Sequence, residues 1–367
     1  MIIDNSTNTP ATRTARVPLT LPLSFDNLTV TNYASLEIST NADPAQNNLA
    51  IGNDLVVAAN SELQLLADRD GTPTSGAWPI ITVGNNATVS GTISATGAGF
   101  TYNSGPGAGN VSGSYGSGAG YGGAGGNSSN GAAGGVVYGS QTNNNYLGSG
   151  GGYTTGGTGG GMIKLTVTGT LDLSSTGSLT ANGNGGTAGG GGGSGGSIQL
   201  VAGTLSGTAG SSITVNGGAG GSNGGGGGGG RIIIYPANDS YSGIKTATGG
   251  AAGTSAVAGS DGTVFVQHSP SSLTMNAPND AATGQIQKTV FRINSTDVEG
   301  DWIQYKLQVA TDSSFTQNVS TFDQTVSQNP TDGGRTAIFS NQDKTTGNVA
   351  GTDGYSSGRE AILTMQT

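Results

Sequence analysis

The sequence predicts an all-β protein: a right-handed parallel β-helix of about seven coils with glycine-rich corner loops, followed by a second β region of different composition. Three observations predict it. Of the 367 residues 71 are glycine, while only 9% are charged and 5% aromatic. Glycine costs about 1 kcal/mol against alanine inside a helix, and Glu, Lys and Arg nearly vanish from the middle of the chain, so almost no helix is expected. Four times a glycine-rich stretch ends in a short apolar run: GTGGGMIKLTV, GSGGSIQLV, GGGGGGGRIIIY and GSDGTVFV. Their apolar starts, Ile163, Ile198, Ile232 and Val264, stand 35, 34 and 32 residues apart, which makes the feature a repeat and the chain a stack of similar units.

Weaker copies precede these four. They read LPLSFDNLTVTNYASLEI from Leu21, LAIGNDLVVAANSELQLL from Leu49 and IITVGNNATVSGTISA from Ile80. Each holds three segments with apolar residues at every second position, the signature of strands with one buried face. In the first these are Leu21 and Leu23, Leu28 and Val30, Leu36 and Ile38; in a later one, Ile163 and Leu165, Leu171 and Leu173, Leu179 and Ala181. Three short strands separated by Asn/Gly/Ser/Thr turns describe one triangular coil, stacked about 4.8 Å from the next. No coil buries its apolar face alone, so the copies must stack. The units are placed at residues 19–97 and 162–276.

The glycine tracts fall after the third strand of their unit, hence at one corner. Two readings remain open: flexible surface loops, favoured by glycine's backbone freedom, and ordered polyproline-II-like strands whose bare backbones pack closely. The absence of a strict three-residue glycine period excludes collagen. Residues 98–161 interrupt the repeat and carry six of the 11 tyrosines among small residues. Either this insertion covers the glycine ridge, or it presents Tyr115, Tyr121 and Tyr153 to a glycan or another subunit, because tyrosine is favoured at interfaces.

From residue 277 to 367 glycine thins and charge returns. Val290, Phe291 and Ile293, then Trp302, Ile303, Tyr305, Leu307 and Val309, then Ala361 to Met365, together with the phrase ATDSSF, resemble strands of a fibronectin type III or immunoglobulin-like module. The resemblance implies an incomplete β-sandwich, since its last strands would lie beyond Thr367. A strand from a neighbouring subunit could complete it, and residues 1–18, polar and then apolar-alternating from Val17, are the candidate donor. As a whole the chain resembles glycine-rich β-helical bacterial surface or filament proteins with such modules.

Chemistry is sparse. Between Gly71 and Gly259 the acids are Asp172 and Asp239 and the bases Lys164, Arg231 and Lys245. The two aspartates fall two coils, about 9.6 Å, apart, near the limit for an inverting carboxylate pair. His268 is the sole histidine, so any Ser-His-Asp triad would need it. Asp297, Glu299 and Asp301 alternate as in a hard-cation loop and mark calcium as the one candidate cofactor, against an ordinary acidic turn. No other cofactor is implied. Zero cysteines exclude disulfides and thiolate sites.

The net charge of −9, with 12 Lys and Arg spread singly, argues against nucleic acid as a partner. No run of 18 apolar residues suggests a membrane span. The expected function is therefore non-enzymatic: an extracellular or cell-surface structural protein that assembles with itself into a filament or layer. The alternative is an adhesin or phage-fibre-like module that binds glycans or a host-cell surface.

Overall fold

The computed structural model describes residues 1–5, 17–40, 43–67, 78–142, 145–174 and 176–268, and the segments 274–277, 290–294, 306–309, 319–323, 331–332, 335–342 and 360–366. The chain divides into two units, Met1–Gln267 and His268–Thr367. It is nearly all β. Among the described residues the only helical element is the 3-10 turn Pro44–Gln46, and no helix is long and apolar enough to cross a membrane.

The first unit consists of parallel rows of short strands. One row runs through Leu23–Phe25, Asn48–Ile51 and Ile80–Val83. A second runs through Ile2–Asp4, Leu28–Thr31, Leu55–Val57 and Ala87–Val89. Both rows meet the long strand Met162–Leu173, whose Lys164–Val167 pair with Ile80–Val83 and whose Leu171 and Asp172 pair with Ala87 and Thr88. The long strands Ser197–Gly207 and Arg231–Tyr241 and the shorter Thr263–Val266 continue this sheet. The third row is a seven-stranded parallel sheet from Val17–Thr20 to Ile244–Thr246. These parallel sheets give the β-helix-like fold that the repeat predicts.

Registration explains why period-two spacing suffices. Leu49, Ile81, Leu165, Leu200 and Ile234 pair successively in one row. In the third, Leu36, Leu63, Ile93, Leu179 and Ile213 do the same. All of them are fully buried within one apolar cluster that runs from Ile3 to Ala247. Each such side chain contributes about 1.5–3 kcal/mol, and a slip of one residue would turn every one of them outward.

Asparagines and one aspartate between strands have a matching role. The Asp54 backbone N–H donates to Asn27 Oδ1 at 3.1 Å, that of Asn86 to Asp54 Oδ1 at 3.1 Å, and that of Thr170 to Asn86 Oδ1 at 2.8 Å. At the corner leading into the glycine tracts, Asn216 N–H donates to Asn182 Oδ1 at 2.6 Å and Thr248 N–H to Asn216 Oδ1 at 2.8 Å. Side-chain amide and carboxylate oxygens thus replace the ladder partners that a turning backbone loses.

The second unit is antiparallel. Val290–Asn294 and Arg335–Gln342 both pair with Glu360–Gln366, which lies between them, and Lys306–Val309 pairs with Ser320–Asp323. Trp302, Ile303 and Tyr305 lie outside the described residues.

The described parts of the candidate donor arm pair within their own chain. Ile2–Asp4 pairs with Thr29–Thr31 and Val17–Thr20 with Leu36–Ser39 of the same chain. The apolar alternation read there as a free donor strand serves the first unit's own sheets; residues 6–16 lie outside the described set.

Candidate functional site

The glycine tracts build the most distinctive packing in the molecule, and they are buried and ordered rather than loose. In residues 224–230 successive amides turn to three different neighbours. Gly225 and Gly228 N–H donate to the carbonyls of Gly116 and Ala119, Gly226 and Gly229 to Val257 and Ser260, and Gly227 and Gly230 to Gly218 and Val215. Residues 191–196 repeat the scheme: Gly191 and Ser194 donate to Gly152 and Ser149, Gly192 and Gly195 to Gly225 and Gly228, Gly193 and Gly196 to Asn184 and Ala181. A three-residue rotation is the period of a polyproline-II helix. The period lies in the hydrogen bonding, which is why no glycine period was needed in the sequence.

Glycine is obligatory where this packing is closest. A Cβ on Gly226, Gly227 or Gly228 would overlap the carbonyl oxygen of Gly250, Gly193 or Gly123 respectively. The insertion forms the covering layer: Gly123 and Gly126 N–H donate to Gly229 and Gly226 O at 2.9 and 2.8 Å, and Val257 N–H to Asn127 O at 2.9 Å. Of the two readings of residues 98–161, the structure shows covering of the ridge.

A tyrosine cluster joins the insertion to the sheet. Met162, Ser197, Arg231 and Thr263, the residues at the glycine-to-strand boundary of successive units, pair in one column. Tyr121 hydroxyl and Ser197 Oγ share a hydrogen bond of 2.7 Å, and Ser197 Oγ donates to Tyr146 O at 2.7 Å. Arg231, only 2% exposed, donates to Thr263 Oγ1 at 3.1 Å and to Tyr138 O at 2.9 Å, and its guanidinium lies 5.5 Å from the Tyr121 ring centroid. Tyr138 packs on Tyr121 and Tyr146 with centroids 4.8 and 5.7 Å away, and its hydroxyl donates to Leu147 O at 2.5 Å.

Burial pushes the Tyr121 phenol up to about 12, against the hydrogen bond with Ser197 and the nearby Arg231 charge; burial likewise raises Tyr138. A raised phenol is neutral in the fold and ionises first in the unfolded chain, whose tyrosines titrate near 10. This stability is therefore whole below pH ~10 and is lost as pH rises through ~12. Tyr121→Phe should lose less melting temperature than the parent over that window, followed by thermal denaturation alongside tyrosinate absorbance.

The predicted contact tyrosines do not form one surface. Tyr121 is fully buried and belongs to the cluster just described, so it presents no ring to a ligand; its flanking glycines concealed this in the sequence. Tyr115 is half-buried in a small hairpin opposite Ser112. Tyr153 is half-buried with φ +75°, near the turn that Gly156 N–H closes on Tyr153 O. Similar turns close 187–190, 221–224 and 253–256. Asp297, Glu299 and Asp301 lie outside the described residues.

Ionisable groups do not converge among the described residues. Asp172 accepts from Ser206 Oγ at 2.9 Å, whereas Asp239 accepts from Tyr241 N–H at 2.8 Å and faces Lys245 Nζ at 3.8 Å. Asp172 pairs with Ser206, whose next partner is Ser240, so Asp239 is also displaced by one residue along its strand. No group of three His, Cys, Asp or Glu able to hold a metal occurs among the described residues. Sequence reasoning gave Arg231, Ser197 and Tyr138 no role. The available signal was the boundary column itself, where a charged residue follows seven glycines.

Comparison with protein-family models, with curated proteins and with solved structures finds no match to this chain.

Proposed function

We propose that this protein is a non-enzymatic structural protein of the extracellular space or cell surface, a subunit that assembles with its own kind into a filament or layer. The reading takes the first unit as a right-handed parallel β-helix of about seven coils and the second as a β-sandwich-like domain. Its main support is that the sheet rows begin and end on strands with one partner each among the described residues: Val17–Thr20 and Ile244–Thr246 in the third row, Leu23–Phe25 and Thr263–Val266 in the first. Such edges carry unpaired N–H and C=O groups that template a further strand. Ile244 and Val264 on the last strands are exposed, at 58% and 42%. Edge stacking is the favoured joint, because the segments of the candidate donor arm that are described pair within their own chain. Low charge with abundant Asn, Ser, Thr and Gly suits an exterior location.

Negative-stain microscopy and sedimentation over a concentration series test this. Fibres or concentration-dependent growth are expected, and Ile244→Lys with Val264→Lys should stop elongation while leaving the monomer's melting temperature within a few degrees. Monodisperse monomers at every concentration would overturn it. That result would favour the second reading, an adhesin-like module that binds glycans through the turns around Tyr153, Ala188, Asn223 and Ser255, which a rigid ridge displays. These four take positive φ, from 47° to 75°.

A further inference from the structure

Asparagine followed by glycine is prone to cyclise, because glycine has no side chain to shield its backbone nitrogen. The chain carries five such pairs, beginning at Asn130, Asn182, Asn184, Asn216 and Asn223. The glycine nitrogen must lose its proton and reach the asparagine Cγ, so an amide that already donates to a carbonyl is withheld from the reaction. In four pairs the fold withholds it. Gly131 N–H donates to Ser128 O at 3.1 Å, and Gly183, Gly217 and Gly224 N–H donate to Asn216, Thr248 and Gly221 O, each at 2.9 Å. Asn182 and Asn216 are held a second time, since their Oδ1 atoms accept the N–H groups of Asn216 and Thr248.

The Asn184-Gly185 pair differs, and the polyproline-II rotation explains why. In this tract Gly183 and Gly186 N–H donate to Asn216 and Ala219 O in one neighbour, while Asn184 and Thr187 N–H donate to Thr158 and Thr155 O in another. The third direction falls to Gly185 and faces solvent. Asn184 and Gly185 are both exposed, and Gly185 N–H has no hydrogen-bond partner among the described residues. The corresponding outward positions of the next two tracts, Ala219 and Ala251, are also exposed but follow glycine, so nothing there can cyclise. One restraint remains on the pair, the 2.9 Å bond from Asn184 Nδ2 to Thr158 Oγ1. It is a side-chain bond at the surface, whereas freeing Gly183 or Gly217 requires neighbouring tracts to part.

We infer that Asn184 is a site of spontaneous covalent modification, the pair among the five that the fold leaves reactive, and that its main product loosens the tract. Gly185 N bonds to Asn184 Cγ as the Cγ–Nδ2 bond breaks. The proton of Gly185 N leaves with Nδ2 as ammonia, and a succinimide ring remains. Water then opens the ring, consumed one for one with release of a proton. Cleavage between Gly185 N and Cγ gives aspartate; cleavage between Gly185 N and the Asn184 backbone carbonyl gives isoaspartate. Isoaspartate routes the main chain through Cβ and lengthens it by one carbon. The donors three residues apart, Gly183 with Gly186 and Asn184 with Thr187, then no longer match the spacing of the carbonyls they meet.

The test ages the full chain in mildly alkaline buffer, folded and unfolded in guanidinium chloride. Mass spectrometry with peptide fragmentation separates conversion at Asn182 from conversion at Asn184. In the fold Asn184 is expected to convert at least about tenfold faster than Asn182 and Asn216, whose amides react only after local opening. In the unfolded chain the three rates should agree within about threefold, because no tract holds any of them. Hydrogen exchange at the Gly186 and Thr187 amides should be faster in the isoaspartate form than in fresh protein. Equal rates at the three sites in the fold would overturn the inference. So would a preference for Asn184 that persists on unfolding, since local sequence and not the fold would then choose the site. Unchanged exchange at Gly186 and Thr187 in the isoaspartate form would overturn the loosening.

Discussion

Gly227→Ala is expected to destabilise the first unit by about 3 kcal/mol or more, at or beyond the usual upper range for overpacking. The added methyl group would meet the carbonyl oxygen of Gly193. Unlike a flexible side-chain end, that oxygen belongs to a backbone fixed on every side: Gly193 N–H donates to Asn184 O, and Gly218 N–H donates to Gly193 O. Moving it breaks bonds in two further tracts, so the strain spreads instead of relaxing. Two controls give the scale. Gly185→Ala meets its nearest neighbour, Ala219 O, at 3.3 Å and should cost little. Gly131→Ala has open space but φ +83°, so it should cost about 1–2 kcal/mol from the left-handed backbone alone. Chemical denaturation of the three variants orders them directly. Equal stability of Gly227→Ala and Gly185→Ala would show that the ridge is not close-packed.

Arg231→Ala is expected to cost about 2–4 kcal/mol, combining a cavity with the loss of hydrogen bonds made by a charged donor. Arg231 bridges the column at Thr263 and the insertion at Tyr138 O, and its cation rests against the Tyr121 ring. Removal leaves the Tyr138 carbonyl without this donor and opens space beside two tyrosines. Arg231→Lys should recover only part of the loss, because one ammonium cannot span both acceptors and cover the ring as the planar fork does. The expected signature includes faster hydrogen exchange at Tyr138 N–H, which donates to Tyr121 O at 3.0 Å, along with a lower melting temperature. Unchanged exchange there, with lowered stability, would mean that Arg231 supports the sheet alone and does not fasten the insertion.

Much of the first unit is legible in the sequence for a simple reason. A parallel stack repeats one local pattern, so Ile163, Ile198, Ile232 and Val264 can be aligned by spacing alone, and the structure pairs them in that order. Spacing also matches Leu49 with Ile81, but Leu49 pairs back to Leu23 and Ile81 forward to Leu165, two residues beyond the starts Leu21 and Ile163, because period-two alternation fixes the buried face and not the register along it. The phase of the glycine tracts follows from the same spacing. The sequence left Tyr121 open between a covering layer and a contact surface, because its environment is supplied by Ser197 and Arg231 from distant units. Apolar alternation at Val17–Thr20 likewise says that one face is buried, but not against which chain; the structure pairs this segment with Leu36–Ser39 of its own.

The glycine-to-apolar boundaries, their near-constant spacing and the scarcity of charge determined by themselves that the chain is a β stack with its glycines on one ridge. These are local, periodic properties, and each repeat reports them again. Only the tertiary structure decided that the ridge is a hydrogen-bonded polyproline-II bundle, that residues 98–161 form its second layer, and that the boundary column holds a buried arginine under a tyrosine ring. Glycine carries no side chain to announce its neighbours. Its partners are chosen by backbone approach between segments more than a hundred residues apart, as when Gly116 O receives the Gly225 amide, and that choice exists only once the chain is folded.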